Sequence, residues 1–186
     1  LHLIILNSIL LYINLIYAEK DLAIIIMGQI LVLFSFLLFN FPKSKMFFGD
    51  SGSYMFGSLV ALNVIITNNL NPEVSSFFFC IILFYLFFEV FFSFFRKLYL
   101  KKSPLKPDEH HLHMLSYKFL KKSYNFKDNN YINSIAINSV FAALILPSIL
   151  FKNDGIICRY WFFSMLLVYI FIYFRLYSFV KKQIDI

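Results

Sequence analysis

"SFFFCIILFYLFFEVFFSFF", residues 76–95, is a run of twenty residues in which Glu89 is the only charged side chain. The hydrocarbon core of a bilayer is about 30 Å thick, and an α-helix needs ~20 apolar residues to cross it. Phe, Ile and Leu fill most of this stretch. The stretch therefore predicts a transmembrane helix, and it sets the class of the whole chain.

The composition extends this interpretation to the rest of the chain. The 186 residues are 60% hydrophobic and 15% charged, with a mean hydropathy of +0.74. Soluble domains carry about a quarter charged residues. The net charge of +7 is thus better explained by cytoplasmic loops of a membrane protein than by nucleic-acid binding. Cys80 and Cys158 are too few for a disulfide framework or a four-cysteine metal site.

Apolar stretches recur along the chain, separated by short polar segments. They predict an all-α polytopic bundle of about six transmembrane helices, forming one integral membrane domain over residues 1–186. A shorter amphipathic helix is expected from Leu112, with Leu115 and Phe119 on one face and lysines elsewhere, lying in the membrane interface. The six predicted spans are 1–18, 22–39, 54–67, 76–95, 131–151 and 160–180.

Basic residues predict the orientation of these spans. Most lie in the segments 40–53 and 96–130 and in the tail after residue 180, whereas the opposite connections hold only Lys20, Lys152 and Arg159. Because basic loops stay in the cytoplasm, we expect a multi-pass protein of the plasma (inner) membrane. Both termini and both polar loops then face the cytoplasm.

The first polar loop contains "FFGDSGS", residues 47–53. Gly49 and Gly52 allow a tight bend and the close approach of a ligand. Asp50 is a hard oxygen ligand of the kind that holds Mg²⁺ together with phosphate oxygens. On spacing alone, a capped helix start is the somewhat favoured alternative, but it does not explain the adjacent Phe47 and Phe48, which are suited to stacking on a base.

The second polar loop, residues 96–130, contains "PDEHHLH", with three imidazoles and two carboxylates in six residues. It is compatible with a transition-metal site, with a site for phosphates bound by imidazoles and lysines, or with a solvated polar surface. On a helix, His110 and His113 share a face, whereas His111 and His113 point apart. The spacing alone does not rank these three alternatives.

Glu89 is an ionisable residue inside a predicted span. Such residues are functional candidates by default. Arg96 and Lys97 follow about two turns later, and a structural ion pair with one of them is the favoured interpretation.

Two segments, "NFPKSKMFFGDSGS" (40–53) and "FEVFFSFFRKLYLKKSPLKPDEHHLHML" (88–115), together resemble one family. This is the polyprenyl-phosphate N-acetylhexosamine-1-phosphate transferase family, glycosyltransferase family 4 of the MraY/WecA type. The pattern Pro-Asp-x-x-His-Leu-His is similar to the WecA-like branch. The resemblance covers the C-terminal part of the family's fold.

The resemblance implies transfer of an N-acetylhexosamine-1-phosphate from a UDP-sugar to polyprenyl (undecaprenyl) phosphate, with release of UMP, at the start of polysaccharide or cell-wall glycan synthesis. The implied cofactor is Mg²⁺, with Mn²⁺ as a substitute. The implied partners are the UDP-N-acetylhexosamine, the lipid phosphate and the membrane, with a homodimer as a further option and no nucleic acid. The implied site residues are Asp50 as catalytic metal ligand, His111 and His113 as catalytic histidines, and Asn40, Phe47, Arg96, Lys97 and His110 as substrate-binding residues.

The chain also departs from the family pattern. Lys43 replaces the usual second proline, and Met114 stands where some members have a further histidine. The family's Asp-Asp pair and Asn-x-x-Asp-Gly loop are absent and are expected upstream of Leu1. We therefore weigh the C-terminal part of an active enzyme against an inactive truncated remnant and, less favoured, a histidine-containing metal transporter.

Overall fold

The computed structural model describes residues 1–104, 106, 109–124 and 129–182. The described part is helical and contains no strand. The expectation of an all-α membrane bundle is confirmed. Its helices are α1 (His2–Ile16), α2 (Lys20–Asn40), α3 (Gly49–Leu70), α4 (Ser76–Tyr99), α5 (Leu112–Tyr124), α6 (Asn129–Ile145), a 3₁₀ helix (Leu146–Phe151) and α7 (Gly155–Lys182).

All six expected spans are helical. Four helical stretches of the described part are long and apolar enough to cross a bilayer: Lys20–Asn40, Ser76–Tyr99, Asn130–Phe151 and Gly155–Lys181. The helix α1 is apolar but has only 15 residues. The helix α3 has 22 residues, but its first turns carry Gly, Asp and Ser, which make it less apolar than the other four.

Local sequence signals explain where several helices begin. Ser75 accepts a hydrogen bond from the Phe77 amide at the start of α4. Asp154 accepts from the amides of Ile156 and Ile157 at the start of α7. These side chains satisfy amide hydrogens that have no partner within the helix.

The helices pack in two groups that meet in one core. In the first group, α1 lies against α2 and α3; in the second, α4 lies against α7, and α5 contacts both α6 and α7. Aromatic rings dominate the second group. Phe88 of α4, for example, packs edge-on against Tyr169 of α7 at a centroid distance of 4.8 Å.

Buried amides connect the helices of the first group. The Asn63 amide nitrogen donates to Gln29 Oε1 at 2.7 Å and to Asn7 Oδ1 at 3.3 Å. Further along α1, the Asn14 amide donates to Thr67 Oγ1 at 2.9 Å. Because unsatisfied polar groups are costly in a lipid-facing core, these bonds fix the positions of α1, α2 and α3 along one another.

The predicted amphipathic helix is present as α5. Leu112 and Leu115 are buried, while Lys121 and Lys122 in its last turn are exposed. Its location at the membrane interface stays a prediction. Pro107 and Asp108 of the histidine-loop motif and Ile186 at the chain end lie outside the described residues.

Candidate active site

Asn40 organises the first polar loop from the end of α2. Its amide nitrogen donates to the Phe36 carbonyl at 3.1 Å, and its Oδ1 accepts from the amides of Lys45 and Met46 at 3.1 and 2.8 Å. The side chain therefore closes the loop onto the helix end. The predicted contact of Asn40 with a nucleotide stays a prediction.

The two phenylalanines of this loop have different environments. Phe47 is 93% exposed, whereas Phe48 packs between Phe36 and Phe56 at centroid distances of 4.8 and 5.6 Å. A Cβ added at Gly52 would lie 3.3 Å from the Phe48 ring, so glycine permits this packing. Phe47 alone presents a ring that a ligand can reach.

Asp50 lies in the first turn of α3 and is exposed. The preceding Gly49 has a φ of +70°, a conformation that glycine adopts without strain. The backbone turn places Asp50 at the positive end of the helix dipole, which attracts phosphate. Asp50 fits the role of a single hard ligand beside phosphate oxygens.

No group of three or more His, Cys, Asp or Glu side chains in the described residues is arranged to hold a metal ion. Asp50 is therefore not accompanied by two further protein ligands within that part of the chain. One carboxylate plus substrate phosphates is still a common way to bind Mg²⁺. The described residues thus fit Mg²⁺ in that Asp50 can supply one ligand.

The two polar loops lie at the same end of the bundle, and the start of α6 connects them. Phe41 of the first loop meets the Tyr131 ring edge-on at 6.1 Å. Two residues later on α6, the buried Asn133 donates to the His113 carbonyl at 2.9 Å and accepts from Ser116 at 2.7 Å. This shared end is the arrangement that the charge pattern predicts.

Glu89 anchors the histidine segment to the second group of helices. Its Oε1 accepts from the Leu112 amide at 2.9 Å and lies 2.9 Å from His111 Nδ1. Its Oε2 accepts from the Tyr169 hydroxyl of α7. The favoured sequence interpretation, an ion pair of Glu89 with Arg96 or Lys97, is therefore wrong. The carboxylate pairs across the fold because the loop folds back over the end of α4.

The three histidines do not follow the single-helix geometry that the sequence suggests. The helix α5 begins only at Leu112, so His110 and His111 precede it. The rings of His111 and His113 stack, instead of pointing apart. The ring of His110 lies 5.8 Å from that of Tyr177, and its carbonyl accepts from the Tyr173 hydroxyl at 3.0 Å.

A basic cleft lies at the ends of α4 and α7. It encloses about 530 Å³. Arg96, Lys97 and His110, which the resemblance implies as substrate-binding residues, all line it. The other lining residues are Leu100, Lys101, Lys102, Ser103, Lys106, Glu109 and Tyr177.

Lys97 shapes this cleft. It is buried, and its Nζ donates to the carbonyls of Pro104 and Lys106 at 3.1 and 2.6 Å. The ammonium therefore holds the lysine-rich segment against the end of α4. Arg96 donates to Ser93 at 3.2 Å and lies over the Tyr173 ring. With five cationic side chains and one carboxylate, the cleft is suited to a phosphate or diphosphate group.

Sequence reasoning missed the contribution of α7. Tyr169, Tyr173 and Tyr177 are spaced four residues apart, and their rings stack in sequence at 6.3 and 6.2 Å. Residues four apart share one face of a helix. This spacing was visible in the sequence and marks the face of α7 that supports Glu89, His110 and the basic cleft.

The first of these loops lies in a part of the chain that matches a known protein family. Residues 1–68, which include Asn40, Phe47 and Asp50, match the family described as glycosyl transferase family 4. This match supports the resemblance recognised from the two motifs.

One curated relative of this chain is the undecaprenyl-phosphate alpha-N-acetylglucosaminyl 1-phosphate transferase of Thermotoga maritima. It is 34% identical over 108 residues, which are 58% of this chain and 33% of the relative. The chain thus spans about a third of the length of this relative. No solved structure matches the chain.

Proposed function

We propose that this chain forms part of a membrane enzyme that transfers an N-acetylhexosamine-1-phosphate from a UDP-sugar to polyprenyl phosphate. The observation that carries the proposal is the common position of the Asp50 loop and the histidine segment at one end of a membrane bundle. The similarity to a relative named for this type of transfer supports it. The proposed orientation has this end in the cytoplasm, on the inner membrane.

Each loop supplies a different part of the proposed chemistry. Asp50 contributes a ligand to Mg²⁺, which neutralises phosphate charge during phosphoryl transfer. Phe47 stacks on the uracil ring, and the basic cleft gathers phosphate groups. A lipid phosphate oxygen forms a bond to the β-phosphorus, the bond to the UMP oxygen breaks, and UMP leaves with the electron pair.

The experiment measures lipid-linked sugar formation in membranes. Membranes from cells with the native gene receive radiolabelled UDP-N-acetylglucosamine, polyprenyl phosphate and Mg²⁺, and extraction into organic solvent reports the product. Membranes from cells lacking the gene are the control. We expect product and UMP in equal amounts only in the first sample.

The competing hypothesis, an inactive remnant, predicts identical product in both samples. A family 4 enzyme that uses another hexosamine is distinguished by repeating the assay with other UDP-N-acetylhexosamines. Absence of gene-dependent transfer from all of them contradicts the proposal.

A further inference from the structure

Glu89 brings together three donors from three different parts of the fold. Glu89 as a whole residue is only 9% exposed and lies inside the span of α4. The donors are the Leu112 amide at the start of α5, the His111 ring at 2.9 Å and the Tyr169 hydroxyl of α7. Both carboxylate oxygens of Glu89 thus act as acceptors, Oε1 toward the Leu112 amide and Oε2 toward the Tyr169 hydroxyl.

A carboxylate that accepts at both oxygens has no hydrogen to donate. The hydrogen between Glu89 and His111 therefore resides on His111 Nδ1. A neutral imidazole carries one N–H, so Nε2 keeps its lone pair. The side chain of His111 is 29% exposed, so a ligand can reach the ring from the cytoplasmic side.

We propose that Glu89 and Tyr169 are positioning residues that hold His111 in the Nδ1–H tautomer, so that its Nε2 accepts the proton of a phosphate monoester. This inference rests on the proposed function for the identity of the ligand. Tyr169 acts through Glu89: by donating to Oε2, it keeps that oxygen an acceptor and prevents rotation of the carboxylate away from the loop.

The chemistry of a phosphate monoester matches this arrangement. Its second ionisation has a pKa of about 6, and the ordinary pKa of histidine is about 6.5. In the proposed step the phosphate O–H bond breaks and an Nε2–H bond forms. The phosphate becomes a dianion, which is the better nucleophile, and Glu89 stabilises the positive charge on the imidazole.

The location of His111 supports a phosphate ligand. The preceding residue, His110, lines the basic cleft, and the following residue, Leu112, is fixed to Glu89 through its amide. The other titratable groups whose charges act in this cluster are Tyr85, which interacts with Glu89, and His113, which interacts with both Glu89 and His111. The proposed reaction has two phosphate-containing substrates. The lipid phosphate is a monoester, whereas the UDP-sugar is a diester of diphosphate, so only the lipid phosphate fits this step.

The test reads the tautomer directly. The chain is labelled with ¹⁵N-histidine and reconstituted in lipid nanodiscs. An NMR spectrum at pH 7.5 then correlates the nitrogens of each imidazole ring with the protons bound to its carbons. We expect His111 to show a protonated Nδ1 and an unprotonated Nε2, with the Nδ1–H tautomer favoured by at least about tenfold, as one charge-assisted hydrogen bond provides. The Nε2–H tautomer in the native chain overturns the inference.

Variants separate positioning from packing. Glu89→Gln places an amide that can donate to Nδ1, so the Nε2–H form should increase by about tenfold or more relative to the native chain. Tyr169→Phe keeps the ring that packs on Phe88 and removes only the hydroxyl; the His111 Nδ1 signal should shift. Tyr173→Phe is the matched control, since its hydroxyl donates to the His110 carbonyl and not to Glu89, and it should leave the His111 tautomer unchanged. Equal responses of the two tyrosine variants contradict the role of Tyr169.

A second arm tests the ligand with geranyl phosphate, a short isoprenoid monophosphate, added to the native chain at pH 6, where about half of a phosphate monoester still carries the proton to be transferred. We expect the His111 Nε2 signal to move toward the protonated form, and geranyl phosphate to have a larger effect than its methyl diester. An unchanged His111 in the presence of bound phosphate overturns the ligand assignment. These readouts need no turnover, so they remain interpretable if the membrane transfer assay fails. Failure of the tautomer inference can therefore be distinguished from failure of the proposed function.

Discussion

His111 and His113 stack with their ring centroids 5.6 Å apart and their planes inclined by 15°. The two rings belong to different local structures, one before α5 and one in its first turn. Two imidazolium rings in this arrangement repel each other. Glu89 bonds to His111, so the two stacked rings have different partners.

The first prediction concerns the pH dependence of this pair. Partial burial lowers the pKa of His113 below its ordinary value of 6.5; the Glu89 carboxylate opposes this shift and His111 adds to it. The unfolded chain then binds more protons than the folded chain between the lowered pKa and 6.5, so stability rises with pH through that window. Thermal unfolding in detergent should show this stability lost as the pH falls below 6.5.

His113→Gln is the matched variant for this prediction, because it keeps a polar side chain that does not titrate. Its unfolding temperature should depend less on pH between 5 and 6.5 than that of the native chain. An NMR titration that gives His113 a pKa above 6.5 contradicts the prediction.

The second prediction concerns Asp50. Asp50→Asn keeps the size of the side chain and removes the negative charge proposed to hold Mg²⁺. Loss of a metal ligand should cost about 4 kcal/mol of transition-state stabilisation, or about a thousandfold in the rate of UMP release. Asp21→Asn, an exposed aspartate in the first turn of α2, is the control. Near-native turnover of Asp50→Asn at saturating Mg²⁺ is incompatible with the assignment.

The third prediction separates the neighbouring Phe47 and Phe48. If the exposed Phe47 ring stacks on uracil, Phe47→Ala should weaken nucleotide binding by ~1–3 kcal/mol, and Phe47→Tyr should change it little. Phe48→Ala should instead lower thermal stability, since that ring packs on Phe36 and Phe56. Titration calorimetry with a UDP-sugar and an unfolding curve measure the two effects separately.

The paired design also shows how the third prediction would fail. A Phe47→Ala chain with unchanged nucleotide affinity per folded molecule, but with reduced stability, would assign Phe47 to packing.

Features that depend on residues close together in the sequence were predictable, and contacts between residues far apart in the sequence were not. The spans followed from local hydropathy, and the Asp50 loop followed from the spacing of its glycines and its aromatic residues. The partner of Glu89 did not follow, because His111 lies 22 residues away and Tyr169 lies 80 residues away. Only the folded loop brings these groups to the carboxylate, whereas the sequence placed Arg96 and Lys97 nearby along the same helix.

The fourth prediction concerns orientation. Cys158 is fully buried, which makes it a poor accessibility probe, and Cys80 is exposed. Both are therefore replaced by serine, and single cysteines are introduced at Glu73, in the exposed turn between α3 and α4, and at Ser103 in the basic loop. An impermeant maleimide added to intact cells should label Glu73→Cys and leave Ser103→Cys unlabelled until the cells are lysed. The opposite pattern reverses the topology.

The fifth prediction concerns the amide network of α1, α2 and α3. Asn63→Ala removes the hydrogen bonds to Gln29 and Asn7. Interhelical hydrogen bonds of this kind contribute roughly 0.6–2 kcal/mol in membranes, so unfolding in detergent should become easier by about that amount. Asn69→Ala, near the end of the same helix and exposed, is the control. Equal losses for both variants would show that the buried network contributes nothing specific.

The same amides have a consequence for how the protein is made. The side chains of Asn7 and Asn14 in α1 are buried against partners on α3 that the ribosome supplies only later, Asn63 for Asn7 and Thr67 for Asn14. During synthesis α1 therefore leaves the translocation machinery with polar groups that lipid cannot satisfy. Its stable place in the membrane depends on the arrival of α3, which couples insertion of the first helix to the helix that begins with Asp50.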